Sequence, residues 1–357
     1  MLALLLRPMK RFDVLDLFLP PVSAWFRRAL GAPTPPQRLG WPAIASGRHT
    51  LIAAPTGSGK SLAAFLAAMD LLWREPTRGR GVRILYVSPL KALNADVHRN
   101  LQVPLEGILA EAEASGFPLR PLATAVRSGD TPASERARIL RKPPEILIIT
   151  PESLHLMLTS RARETLRDVS HVVVDEIHAL CGDKRGVFLA LLLERLEALG
   201  TGRPFVRIGL SATQKPLEEV ARYLGGARPV EIVDAGARKP MDLRVVWPFG
   251  DAGLGPPGSV WPAIEDRVLG FVEEHRSTLV FANNRRAVER LTARLNELAA
   301  RDVERQAPGD EPSPPPFRAH HGSLSLEERR TTEEMLKNGE TRAVVATASL
   351  ELGIDMG

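Results

Sequence analysis

The amino-acid sequence predicts an α/β protein with two doubly wound parallel-sheet domains in tandem, the second of them incomplete. Three observations support this fold class. Short, almost wholly apolar runs alternate with helical patterns, as expected of parallel strands that helices cover on both faces. The alternation occurs twice, with a second series beginning near residue 240. The 357 residues also exceed what one hydrophobic core commonly holds.

The first half of the chain contains five apolar runs that predict the strands of one sheet. They are TLIAAP (50–55), RILYVSP (83–89), EILIITP (145–151), HVVVDE (171–176) and VRIGLSA (206–212). Helical patterns such as 61–73 and 187–199 separate them. This order of strands and helices predicts a sheet covered on both faces.

The second half repeats the pattern with four apolar runs. They are LRVVWP (243–248), TLVFAN (278–283), FRAHHG (317–322) and RAVVATA (342–348). Ser325 and Glu328 have the spacing of a helix capping box, and the proline-rich stretch 308–316 predicts a surface loop. We expect a lead-in at 1–30, a first domain at 31–238 and a second domain at 239–357. Since only four strands precede Gly357, we expect the second domain to be truncated.

Composition limits the classes of function. No run of 18 or more apolar residues occurs, so we expect no membrane partner. The opening MLALLL lacks a cleavage site and predicts a short leader or a misplaced start. The net charge of +5 permits a polyanionic partner, although an arginine-rich genome explains it equally well. Cys181, the one cysteine, excludes internal disulfides, is expected to pack rather than react, and favours the reducing cytoplasm.

The stretch APTGSGKSLAAF (54–65) predicts a phosphate-binding loop, because it lies between an apolar strand and an apolar helix. The residues assigned to the nucleotide here are Thr56, Gly57, Ser58, Gly59, Lys60 and Ser61. Lys60 is expected to reach the β- and γ-phosphates, and Ser61 to ligate Mg²⁺. Ala54 stands where the usual pattern has its first glycine. The alternative is a glycine-serine turn that happens to precede a lysine.

The run VVVDEIH places Asp175 and Glu176 at the carboxyl end of a buried strand. Ligands of such sheets bind at this end of the strands, where the phosphate loop also lies. We expect Asp175 to hold Mg²⁺ and Glu176 to orient and deprotonate the attacking water. Without the loop, two adjacent carboxylates would more simply indicate a solvated strand end.

Taken in order, TGSGKS, DEIH (175–178) and SAT (211–213) resemble the motifs of superfamily 2 helicases of the DEAD/DEAH type. The remaining motifs of that superfamily are matched by SPLKALNADVHRNL, TPESL, LVFANNRRAVERL, HHGSLS and TASLELGIDMG. The stretch that begins at DEIH, with PTPPQ and GWPAI, is most similar to the Lhr (large helicase-related) family. The resemblance covers residues 13–357 and implies two RecA-like domains that use ATP and Mg²⁺.

The resemblance implies further site residues by their match to the family motifs. Gln37 matches the glutamine that recognises adenine, while Gly353 and Asp355 match positions where the second domain closes on the nucleotide. The residues that couple the nucleotide to the nucleic acid are His178, Ser211 and Thr213. The nucleic-acid contacts implied are Lys91, Asn94, Arg127, Thr150, Ser153, Asn283, Arg285, His321, Gly322, Ser323 and Thr347. Most would touch phosphates without recognising the base sequence.

The function implied is an ATP-dependent helicase or translocase acting on single-stranded DNA or a DNA/RNA hybrid, with a role in DNA repair. The family's last motor motif, which carries an arginine finger, has no match before Gly357. Three alternatives remain: an RNA-remodelling ATPase, an ATP-gated nucleic-acid clamp without turnover, and a small-molecule kinase. The kinase leaves SAT, TPES and the second domain unexplained. His320 and His321 lack a third ligand, so Mg²⁺ is the one metal expected.

Overall fold

The computed structural model describes residues 13–75, 81–89, 91–200, 204–212, 215–236, 242–249, 259–306, 316–347 and 350, with the side chains of 91–96, 301–306 and 326 left out. The chain divides into two compact units, Met1–Arg238 and Lys239–Gly357. Both units are layers of helices on a parallel sheet, so the predicted α/β fold class is confirmed. Among the helices of the described residues, none is long and apolar enough to cross a membrane.

The described part of the first unit contains a parallel sheet of seven strands in the order β3-β4-β2-β5-β6-β1-β7. The strands are β1 (Thr50–Ala53), β2 (Ile84–Val87), β3 (Thr124–Arg127), β4 (Ile146–Ile149), β5 (His171–Val174), β6 (Val206–Ser211) and β7 (Glu231–Asp234). The order places β5, β6 and β1 side by side at the centre. The loops that follow these three strands therefore meet at one edge of the sheet.

Helices cover both faces of this sheet. They are α1 (Pro20–Leu30), α2 (Pro35–Ala45), α3 (Lys60–Arg74), α4 (Lys91–Ala114), α5 (Ala133–Arg141), α6 (Pro151–Leu158), α7 (Lys184–Leu199) and α8 (Leu217–Gly225). Successive strand residues enter different cores: Ile52 packs in one, while Leu51 and Ala53 pack in the other. Two buried faces explain why these strands are continuously apolar rather than alternating.

Residues 13–30 contribute to the core of the first unit. Trp25 and Phe26 of α1 are buried, and the Leu19 N–H donates to Asp70 Oδ1 on α3 at 2.7 Å. Helix α1 lies so close to α4 that a Cβ on Gly107 would sit 2.2 Å from Trp25 Nε1. The stretch predicted as a lead-in thus holds α4 and α3 in place.

The second unit, in its described part, has a parallel sheet in the order β8-β10-β9. Its elements are α9 (Trp261–Glu274), β8 (Thr278–Phe281), α10 (Arg285–Gln306), β9 (Phe317–His320), α11 (Leu326–Asn338) and β10 (Ala343–Ala346). The predicted capping box starts α11: the Glu328 N–H donates to Ser325 Oγ at 3.1 Å, and the Ser325 N–H donates to Glu328 Oε2 at 3.0 Å. The prediction of this helix start is confirmed.

Three strand predictions need correction. Residues 243–248 form no strand, and Leu243 and Val245 are exposed, so apolar character alone did not indicate pairing here. Strands β3 and β7 were not predicted. Both lie at the edges of the sheet and are only partly buried, so their sequences lack the unbroken apolar runs of the central strands.

Candidate nucleotide-binding site and nucleic-acid surfaces

The candidate nucleotide site lies at the carboxyl edge of the central strands of the first unit. In the sheet register, Ala53 of β1 is opposite Ser211 of β6, and Val174 of β5 is opposite Gly209. The phosphate loop follows β1, the DEIH stretch follows β5, and the SAT stretch follows β6. Three sequence motifs far apart in the chain therefore meet at one edge.

The phosphate loop connects β1 to α3 through left-handed glycines. Gly57 has φ 75° and Gly59 has φ 84°, and Gly59 caps α3. The Ala54 N–H donates to the Ser211 carbonyl at 3.1 Å, which extends the pairing of β1 and β6 into the loop. The side chain of Lys60 is buried, and its Nζ donates to the Ala54 carbonyl at 2.8 Å. Ala54 stands at the position of the usual first glycine. It thus supplies both the N–H that pairs with Ser211 and the carbonyl that accepts from Lys60.

The PTPPQ stretch at the start of α2 braces this loop from outside. Thr34 Oγ1 donates to the Ser58 carbonyl at 2.8 Å, and Gln37 Nε2 donates to the Gly59 carbonyl at 3.4 Å. Gln37 Oε1 also accepts the Thr34 N–H at 3.0 Å. Gln37 is buried, so its amide is fixed beside the loop. Recognition of adenine by Gln37 stays a prediction.

Asp175 and Glu176 follow β5; the carboxyl group of Asp175 is buried and that of Glu176 is partly exposed. Asp175 Oδ1 accepts the Glu176 N–H at 2.9 Å, and Asp175 Oδ2 accepts the hydroxyl of Tyr86. Burial, followed by the adjacent Glu176 charge, raises the pKa of Asp175 to about 6. Burial also raises the pKa of Glu176, against the opposing effect of Lys60. Both shifts mean that burial disfavours the ionised forms of these two carboxyl groups.

His178 joins the DEIH loop to the SAT loop. Its Nδ1 accepts the Ala212 N–H at 3.2 Å, so this nitrogen carries no proton. Burial lowers the pKa of His178, in agreement with a neutral ring. Ser211 is fully buried, and its Oγ has no hydrogen-bond partner among the described residues. The first two predicted coupling residues therefore lie at one junction, while Thr213 falls outside the described residues.

A second group of predicted residues lies at the β3-β4 side of the same edge. Arg127 ends β3 opposite Ile149, and Thr150 follows β4 as the cap of α6. Thr150 Oγ1 accepts the Ser153 N–H at 3.4 Å and donates to Ser153 Oγ at 3.2 Å. Both side chains are buried and satisfy each other. Their phosphate contacts stay a prediction.

Arg127 is the cationic residue beside this group. It is half-buried, and burial together with the nearby Arg136 lowers its pKa. Arg136 donates to the carbonyls of Thr131 and Gly129, each at 2.8 Å, and so fixes the loop after β3. Two guanidinium groups thus face the same loop. The side chains of Lys91 and Asn94 fall outside the described residues.

The predicted nucleic-acid residues of the second unit also converge. Arg285 Nη1 donates to Ser323 Oγ at 2.9 Å, and the Ser323 N–H donates to His321 Nδ1 at 3.3 Å. His321 Nε2 lies 2.6 Å from Glu289 Oε1, one turn after Arg285 on α10. Asn283 is exposed at the end of β8. The start of α10 and the loop after β9 therefore form one surface, on which Gly322 is open to close approach.

The remaining residues assigned from the sequence are Thr347, Gly353 and Asp355. The Thr347 N–H donates to the His320 carbonyl at 3.1 Å, which places Thr347 beside the loop after β9. Gly353 and Asp355 lie outside the described residues. His320 Nε2 lies 2.9 Å from Glu333 Oε1, and the described residues contain no group of three or more potential metal-ligating side chains.

Sequence reasoning missed two contributors to the nucleotide site. Tyr86 is a single polar side chain in the otherwise aliphatic strand ILYV, which was its one signal. Thr34 has capping-box spacing to Gln37, and this pattern pointed to a helix start rather than to the loop. Neither contact with the site could be read from local sequence, because each partner is distant in the chain.

Two protein families match the chain. The DEAD/DEAH box helicase family matches residues 34–220, and the helicase conserved C-terminal domain matches residues 263–357. The match to the first family covers more than half of the chain and includes the phosphate loop and the DEIH and SAT stretches.

Curated relatives and a solved structure agree with this match. An Lhr helicase/probable uracil glycosylase of Mycolicibacterium smegmatis is 50% identical over 98% of this chain and 24% of its own length. An ATP-dependent helicase Lhr-Core of Methanocaldococcus jannaschii is 42% identical over 97% of this chain and 40% of its own length. The structure of Mycobacterium smegmatis helicase Lhr bound to ssDNA and AMP-PNP is 53% identical with a TM-score of 0.84, covering 97% of this chain and 43% of that one.

The chain spans less than half the length of each of these relatives. Their likeness confirms the prediction of two RecA-like domains in tandem along the sequence. Motif order, fold and relatives lead to one assignment: the chain belongs to the DEAD/DEAH box helicases of superfamily 2 and forms an Lhr-like helicase core.

Proposed function

We propose that the chain is the motor core of an ATP-dependent helicase or translocase that moves along single-stranded DNA and unwinds a duplex or RNA–DNA hybrid. The observation that carries the proposal is the junction at the edge of β5, β6 and β1. There a buried lysine on the phosphate loop, the buried Asp175, the partly exposed Glu176 and a histidine bound to the next strand's loop lie together. The proposed phosphate-binding site is thus linked to the loop after β6, which could respond to the bound nucleotide.

The chemistry of the junction suits phosphoryl transfer from ATP to water. Lys60 is the cation for the β- and γ-phosphates, and its present acceptor, the Ala54 carbonyl, is one it can exchange for a phosphate oxygen. Glu176 is the carboxylate that would orient the attacking water and take its proton. Preorganised charges of this kind supply most of the catalysis in phosphoryl transfer.

Mg²⁺ fits the residues at this junction. Ser61 and Asp175 offer the hydroxyl and carboxylate oxygens that Mg²⁺ prefers, and the ion takes its other ligands from water and phosphates. The raised pKa of Asp175 shows a carboxyl group short of positive charge, which a cation would relieve. When bound, Mg²⁺ neutralises charge that develops on the phosphate oxygens. Asp175 would hold it directly or through water.

We assign the nucleic-acid path to two surfaces, one in each unit. The first includes Arg127 and the helix start at Thr150, and the second includes Arg285 and the loop 321–323. These sites offer guanidinium groups, hydroxyls and backbone N–H groups, which bind phosphates rather than base edges. The related Lhr structure contains ssDNA and AMP-PNP, which supports DNA as the strand bound here.

We also place the chain in the cytoplasm, on the character of its one cysteine. Cys181 is a free thiol, and burial raises its pKa to about 11. A protonated thiol without a disulfide partner is typical of proteins from reducing compartments. A thiol with this pKa stays protonated at neutral pH and is a poor nucleophile. We therefore assign the attack on the phosphate to water.

The test is steady-state ATP hydrolysis with and without single-stranded DNA, and with RNA of equal sequence. We expect DNA to stimulate hydrolysis, and Glu176→Gln to lower the rate at least 100-fold because the attacking water loses its base. Glu164→Gln is the matched control, since Glu164 is an exposed carboxylate paired with Arg163 and Arg167.

Each other outcome revises the proposal in a defined way. Stimulation by RNA alone would replace the DNA motor with an RNA-remodelling ATPase. ATP-dependent DNA binding without hydrolysis would indicate a clamp. Failure to bind ATP in a folded chain would refute the nucleotide site itself.

A further inference from the structure

Tyr86 lies behind the candidate nucleotide site, on a strand that does not carry any of the nucleotide motifs. It occupies β2, is fully buried, and is opposite Val173 of β5. The ring of Phe65 stacks on it, with centroids 4.6 Å apart and planes 9° from parallel. A stacked ring in a central strand has little freedom, so the position of its hydroxyl is fixed by the core.

The fixed hydroxyl contacts both side chains assigned to Mg²⁺. It donates to Asp175 Oδ2, and a side-chain hydrogen bond from Ser61 partly opposes the rise that burial and Asp175 cause in the pKa of this phenol. A phenol can donate one hydrogen bond and accept another, so both contacts can be satisfied at once. Tyr86 therefore connects the phosphate loop to the DEIH loop through one oxygen atom.

We propose that Tyr86 is a positioning residue for the divalent metal, which holds Ser61 and Asp175 at the spacing that a nucleotide-bound Mg²⁺ requires. This inference rests on the proposed ATP-binding function. Tyr86 itself does not touch the ion or the phosphates. It acts on the oxygens that do, as outer groups around metal sites generally do.

The contacts of Asp175 support this role. Oδ1 accepts the Glu176 N–H and Oδ2 accepts the Tyr86 hydroxyl, so the plane of the carboxylate is set by two donors. Each oxygen keeps a second lone pair for a metal or a metal-bound water. Without the phenol, Asp175 Oδ2 loses this donor, and the carboxylate can rotate. Loss of such an outer contact typically weakens metal binding 10- to 100-fold.

The test compares Tyr86→Phe with Tyr223→Phe. The chain has two tyrosines, and the Tyr223 hydroxyl donates to the Gly186 carbonyl at 2.8 Å, away from the motifs. Each variant therefore loses one phenol hydroxyl and the hydrogen bond that this hydroxyl donates to a protein oxygen. A fluorescent, non-hydrolysable ATP analogue is the probe, and Mg²⁺ is titrated at a fixed concentration of protein and probe.

We expect Tyr86→Phe to raise the Mg²⁺ concentration at half-maximal binding about 10-fold or more, with the Mg²⁺-free affinity for the analogue unchanged. Tyr223→Phe should leave both values unchanged. If Tyr86 has a purely structural role, Tyr86→Phe should lose thermal stability, as Tyr223→Phe does, and the Mg²⁺ midpoint should not move. An unchanged midpoint in Tyr86→Phe, or equal shifts in the two variants, would overturn the proposal.

A second variant covers the case in which Tyr86→Phe fails to fold. Phe65→Leu keeps the phenol and loosens only the ring that stacks on it. We expect a smaller rise in the Mg²⁺ midpoint, and no rise would count against the proposal. If the unmodified chain fails to bind the analogue at any Mg²⁺ concentration, the proposed function fails first, and that result is distinct from an unchanged midpoint.

Discussion

Replacing Gly59 by alanine tests whether the phosphate loop depends on both its backbone conformation and its contact with Gln37. Gly59 has φ 84°, a conformation that costs a residue with a Cβ about 1–2 kcal/mol. A Cβ there would also lie 2.6 Å from Gln37 Nε2, so the amide must move. Its hydrogen bond to the Gly59 carbonyl is then lost, at about 1 kcal/mol. The two contributions together predict a loss of about 2–3 kcal/mol.

The loss should appear in two measurements. Urea unfolding should show the stability of the first unit lowered by about 2–3 kcal/mol, and titration with an ATP analogue should show weakened binding because the loop amides are displaced. Gly116→Ala is the control, since Gly116 also has positive φ but a Cβ there meets nothing within 4 Å. This control should lower the free energy of unfolding only by the cost of the positive φ, about 1–2 kcal/mol, and leave nucleotide binding unchanged.

The double variant Gly59→Ala with Gln37→Ala separates clash from backbone strain. Since the shortened side chain at 37 makes room for the new Cβ, the double variant should be no less stable than the sum of the single changes predicts, and the coupling should be favourable. If Gly59→Ala costs no more than Gly116→Ala, and nucleotide affinity is unchanged, the bracing of the loop by Gln37 is refuted.

Two further predictions concern the DNA surface and the acid stability of the first unit. Arg285→Ala removes a cation and its bond to Ser323 Oγ, so the affinity for single-stranded DNA should fall and the salt dependence of binding should decrease by about one phosphate contact; an unchanged salt slope would refute this. Burial, with the charge of Arg83, lowers the pKa of His171 to about 4. His171 therefore contributes stability above pH 6.5 that is lost as the pH falls toward 4, by about 1.4 kcal/mol per unit, and His171→Gln should flatten this slope in urea unfolding.

The central strands could be predicted from sequence because burial on both faces leaves an unbroken apolar run. Strands β1, β2, β4 and β5 are fully buried along their length. The edge strands β3 and β7 carry Arg127 and Glu231, and each has only one buried residue. The apolar residues at 243–248 were wrongly predicted to form a strand. The large ones are exposed, because whether a segment is buried depends on what packs against it and not on its own sequence.

The candidate site divides in the same way. Lys60, Asp175 and Glu176 were predicted because a phosphate loop and a strand-end carboxylate pair each have a short local pattern. Tyr86 and Thr34 act through partners distant in the chain, so their roles follow only from the order of strands in the sheet. Local sequence thus indicates the groups proposed to touch the nucleotide, and the fold indicates the groups that hold them.

The backbone at Glu176 shows why the carboxylate pair could be located but not oriented from sequence. Successive residues of a strand point to opposite faces, so an extended chain would separate the side chains of Asp175 and Glu176. Glu176 instead has φ 44° and ψ 40°, the one positive φ outside glycine among the described residues. Such a conformation costs about 1–3 kcal/mol. It turns the Glu176 N–H back onto Asp175 Oδ1, so the strain is offset in part by a hydrogen bond to the carboxylate. Since burial raises the pKa of both carboxyl groups at this turn, stability alone gives no reason for placing them here, whereas the proposed binding of a cation and a nucleotide does.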